Sequence, residues 1–89
     1  MVQITKQAVQ QWVLMDYLAQ KHRFQSIIDQ MERKYGTVLS EFEKQLQTEE
    51  RESIEKWEDT IDWSAAVNML ADVLQRIDEI REGTFDIVE

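Results

Sequence analysis

At 89 residues, 43% hydrophobic and 31% charged, the chain makes at most one domain, of a size that buries only about two-thirds of its unfolded surface. It has no cysteine, which excludes disulfides, thiol catalysis and thiolate metal sites, and with no proline and two glycines little interrupts helix formation. The net charge of −8 is uneven: residues 1–35 balance at +2, 36–62 at −6 and 63–89 at −4. No cluster of cations is present to release counterions from phosphate, so direct nucleic-acid binding is disfavoured.

The opening MVQITKQAVQ lacks the charged start and apolar run of a signal peptide, and no apolar span reaches membrane-crossing length. The expectation is a soluble cytoplasmic protein with no membrane partner. Residues 3–34 read as one long helix, or two with a bend. Ile4, Ala8, Trp12, Met15 and Ala19 make one stripe, with Val9, Val13 and Tyr17 beside it. From Trp12 to Ala19 the helix is apolar nearly all round, broken only by Asp16. Such a segment calls for cover on every side. A subunit interface or a partner groove would supply that cover, and the alternative is a wide core face with one exposed edge. Val9, Trp12, Val13, Met15 and Leu18 are the candidate self-association residues, with a homodimer expected to finish the core on the first reading.

Phe24, Ile27, Ile28, Met31 and Tyr35 continue the stripe. His22 is the single histidine and has no second imidazole or thiol to join it, so metal ligation is not expected. Arg33 and Lys34 favour the negative end of the helix, and Gly36 supplies its left-handed closing residue. Thr37 has the chemistry of the next N-cap, and a short helix over 38–47 buries Leu39, Phe42 and Leu46.

The acidic segment 48–59 follows, with Ile54, Trp57 and Ile61 at helical spacing across its end. Glu52, Glu55, Asp59 and Asp62 fall on one face, but a row on one helix lacks the opposing ligands of a carboxylate-bridged metal site. It reads as a solvated acidic surface, and no cofactor is implied. Trp57 and Trp63 bracket this patch. An indole beside carboxylates is the composition of a binding hot spot, whereas an indole on an apolar stripe belongs to a core. Trp63 lies on the stripe.

The cleanest amphipathic helix spans 60–82, N-capped by Asp59 or Thr60 and closed by Gly83. Trp63, Ala66, Leu70, Val73, Ile77 and Ile80 form its stripe, widened by Val67 and Leu74. In the tail 83–89, Phe85 and Ile87 alternate with polar residues, which suits a strand added to a partner sheet or a cover for the bundle.

The order Met31-Glu32-Arg33-Lys34-Tyr35-Gly36, then Ser40-Glu41-Phe42-Glu43, an acidic linker, Trp57, and Trp63 opening a long helix resembles a group of small prokaryotic proteins. That group carries an E-x-K-Y-G-M-S-x-E-E-F turn and a W-E-rich acidic stretch, and it is similar to the antitoxin side of TumE/TumA-type toxin–antitoxin pairs. The similarity covers about residues 17–82; Thr37-Val38-Leu39 replaces the usual Met-Ser, and Ser64 replaces glutamate after tryptophan. The resemblance implies neutralisation of a small basic toxin, with the acidic segment covering a cationic site.

Taken together, the sequence predicts an all-α hairpin or bundle of three to four helices in a single domain, with long first and last helices. The expected function is non-enzymatic binding of a basic protein through Glu49, Glu50, Glu52, Glu55, Trp57, Glu58, Asp59 and Asp62. Charge reversal at Glu55, Asp59 and Asp62 is expected to abolish that binding and leave helicity intact. The alternative is a self-associating structural or adaptor subunit.

Overall fold

A computed structural model describes residues 5–49 and 53–83; Glu50, Glu52 and the tail with Phe85 and Ile87 lie outside the described residues. Three helices follow one another: α1 (Lys6–Tyr35), α2 (Leu39–Thr48) and α3 (Ile54–Glu82), with no strand among the described residues. α1 and α3 form an antiparallel hairpin, and α2 closes the end where α1 stops and α3 begins.

α1 is continuous for 30 residues, about 45 Å. No glycine or proline falls inside it to create a bend. Thr5 caps it by accepting from the Ala8 N–H at 3.1 Å. At its end Gly36 adopts φ 65° and ψ 25° and returns its N–H to the Glu32 carbonyl at 2.8 Å. That left-handed conformation costs an L side chain roughly 1 kcal/mol, which is why glycine stands there.

α2 starts one residue later than the sequence suggests. Val38 takes the N-cap position in extended geometry with no side-chain cap, so Thr37 lies just outside the helix. The larger shift is in α3. Asp59 and Thr60 do not cap it; Ser53 does, accepting from the Lys56 N–H at 3.3 Å. The second half of the acidic segment is thus the first two turns of α3. Thr60 sits inside the helix and its hydroxyl donates to the Lys56 carbonyl at 2.8 Å, and Asp59 is drawn into a tertiary contact with α1.

The core has two parts. Beside α2, Ile28, Phe42, Trp63 and Ala66 are buried, with Ile27, Met31, Tyr35, Leu39, Leu46 and Leu70 packed around them. Trp63 is wholly enclosed. Its ring lies 5.3 Å from that of Phe42 and 6.1 Å from that of Tyr35, and the last two are 4.2 Å apart. One aromatic from each helix therefore meets at a single point. Farther along, Val73, Ile77 and Ile80 of α3 are buried. At that end the Gln10 amide donates to the Ile80 carbonyl at 2.8 Å, satisfying an acceptor near the helix terminus and fixing α1 against α3.

Candidate protein-binding surface

The carboxylates of the acidic segment divide into two groups. Lys34, at the end of α1, donates to Glu55 Oε1 and to Asp59 Oδ2, each at 2.7 Å. The Tyr35 hydroxyl donates to the same Asp59 oxygen. The Asp59 side chain is only 16% exposed. Its carboxyl is held below the usual carboxylate range, first by the Lys34 hydrogen bond and then by that of Tyr35. The hydrogen bonds that Lys34 donates to Asp59 and then to Glu55 in turn raise its pKa above the ordinary value. Burial, followed by the Asp59 contact, raises the Tyr35 hydroxyl. Glu49 pairs with Lys56 at 2.7 Å. These three carboxylates serve the fold, tying the two ends of α3's entry to α1 and α2.

Glu58 and Asp62 are different. Both are exposed, and neither makes an ion pair among the described residues. They lie one turn apart on α3. Trp57 is 64% exposed, and Ile54 (77%) and Ile61 (48%) stand with it at steps of three and four residues. At about 100° per residue, this apolar row projects from the side of α3 opposite Trp63, Ala66 and Ile77. Glu58 and Asp62 form its rim toward the hairpin. The indole and carboxylates that sequence spacing groups together are therefore split: Trp57 with the apolar row, Asp59 and Glu55 with Lys34.

The self-association set divides in the same way. Val9 and Val13 are half-buried on the side of α1 that meets α3, and Leu18 is half-buried on a flank. Trp12 (58% exposed) and Met15 (66%) point outward with Ala19. Trp12, Met15 and Ala19 are thus the outer face of α1, with Ala8 half-buried at its start, and the adjoining half-buried Val9, Val13 and Tyr17 row is its packed face. Periodicity identifies both rows without telling which is buried, because each repeats at three and four.

Lys34 and Tyr35 were not among the expected site residues, though both stand in the resembling turn. Their signal was present: a lysine and a phenol directly before a helix-ending glycine, with unpaired acids at the start of the final helix. Among the described residues, no group of three or more histidine or carboxylate side chains converges to hold a metal. None of the described helices is long and apolar enough to cross a membrane. Comparison with protein-family models, curated proteins and solved structures found no match for the chain.

Proposed function

We infer that the chain is a non-enzymatic protein-binding module of antitoxin type. On this reading it docks the first half of α3 onto a cationic protein surface. The observation that carries the reading is the exposed row Ile54, Trp57 and Ile61, bordered by the unpaired carboxylates Glu58 and Asp62. A large exposed indole is costly to leave in water and is the side chain most enriched at binding hot spots. The flanking acids supply orientation and speed encounter with a basic partner. Glu55 and Asp59 contribute through Lys34, by holding the first turns of α3 in place.

The antitoxin resemblance supplies the kind of partner, a small basic protein whose cationic site the acidic face would cover. Inhibition would then be steric and electrostatic. The test uses the partner captured from the native source by the wild-type chain. Trp57→Ala, and separately the pair Glu58→Lys and Asp62→Lys, should each weaken its capture by about tenfold or more, with helical content unchanged. Undiminished capture by both variants overturns the assignment of this face.

A further inference from the structure

The outer faces of α1 and α3 carry the same pattern with opposite charge. Each begins with an apolar row: Ala8, Trp12, Met15 and Ala19 on α1, and Ile54, Trp57, Ile61 and Ala65 on α3. Each then becomes charged toward its C-terminus. On α1 the exposed cations of that face are Arg23 and Arg33, with Asp29 between them; on α3 the exposed acids are Asp72 and Glu82, while Glu79 is half-buried and already pairs with Arg76 at 3.4 Å. Displacing α1 by 46 positions sets Ala8 on Ile54, Met15 on Ile61 and Ala19 on Ala65. Trp12 then falls within one residue of Trp57, and Arg23 and Arg33 lie within one turn of Asp72 and Glu82 respectively.

We propose that the outer face of α1 docks in parallel on the outer face of α3 of a second copy, joining chains head to tail. Within one hairpin the two outer faces point in opposite directions, so a single chain cannot bring them together. The contact is heterologous, and every copy added leaves one α1 face and one α3 face free at the ends. Apolar rows meet over about three helical turns and the charged halves meet beyond them, which also sets the parallel direction. An antiparallel docking would place Arg23 and Arg33 against Ile54 and Trp57. Trp57 belongs both to this contact and to the partner surface, so a bound partner and a neighbouring copy exclude each other.

Sedimentation equilibrium from about 1 µM to about 1 mM tests this on the full chain. The weight-average mass should climb with concentration past twice the 10.7 kDa of the chain. Trp12→Glu and Trp57→Glu should each remain monomeric, with circular dichroism confirming unchanged helix. Mixed, they should form a 1:1 heterodimer and stop there, because one retains a working α3 face and the other a working α1 face. A wild-type monomer throughout, a closed dimer, or a mixture of the two variants that stays monomeric would each overturn the proposal. Trp12→Glu also separates this contact from the partner reading, since it removes self-association and should leave partner capture intact.

Discussion

Replacing Trp63 by alanine tests the central packing claim. The indole is wholly buried and touches one aromatic from each of the other helices. Truncating a buried aromatic to alanine costs about 3–5 kcal/mol. The whole stability of a domain this small is on the order of 4–13 kcal/mol, taking about 0.05–0.15 kcal/mol per residue. At about 4–8 °C per kcal/mol, the thermal midpoint should fall by at least about 12 °C. The loss should be followed by circular dichroism during heating and by urea titration, with Trp57→Ala as the matched control. Trp57 is 64% exposed, so its truncation should change stability by no more than about 0.5 kcal/mol. A Trp63→Ala loss below about 1 kcal/mol, or equal losses at the two positions, would refute the assignment of one indole to the core and the other to the surface.

Asp59→Asn should destabilise the fold by about 1–3 kcal/mol, because it removes a charge-assisted acceptor shared by Lys34 and Tyr35. Urea midpoints check this, and an unchanged midpoint would discount the contact. The same cluster gives stability a pH dependence. Asp59 is depressed in the fold, so its contribution is present above its unfolded pKa of about 3.9 and fades as pH falls through the lower folded value. Lys34 and Tyr35 are raised, so theirs is complete below about pH 10 and fades as pH climbs through the folded values. Urea titrations across pH should show both losses reduced in Asp59→Asn. Gly36→Ala should cost about 1 kcal/mol from the left-handed φ alone, since nothing lies within 4 Å of the added methyl. Ser53→Ala should cost about 1 kcal/mol by removing the α3 cap, whereas Thr60→Ala, whose hydroxyl bonds within the helix, should cost less.

The sequence made the three helical segments legible because nothing in it competes with helix. Gly36 and Gly83 mark two helix ends, and both adopt positive φ as C-caps. The stripe from Trp63 to Ile80 was readable for the same reason, as a single uninterrupted apolar row. The start of α3 was not. Asp59 and Thr60 have cap chemistry, but Ser53 lies six residues earlier, and Lys34 and Tyr35 recruit Asp59 from a distance in sequence that local reading does not span. That recruitment also changes the expected mutagenesis. Reversing Glu55 and Asp59 would disrupt the fold along with any binding, so Glu58 and Asp62 are the acids that probe the surface cleanly. In α1 the two parallel rows were visible, but only the docking of α3 decides that Val13 is packed and Trp12 exposed.

The most direct test of the binding reading is affinity capture from the native source with the wild-type chain, in about 0.1 M and about 1 M salt. The Debye length shortens from about 10 Å to about 3 Å between these conditions, which removes most attraction between exposed charges. The account predicts one small basic protein, retained at low salt, depleted at high salt, and identified by mass spectrometry. Recovery of the chain alone, or of a partner whose retention ignores salt, would contradict it.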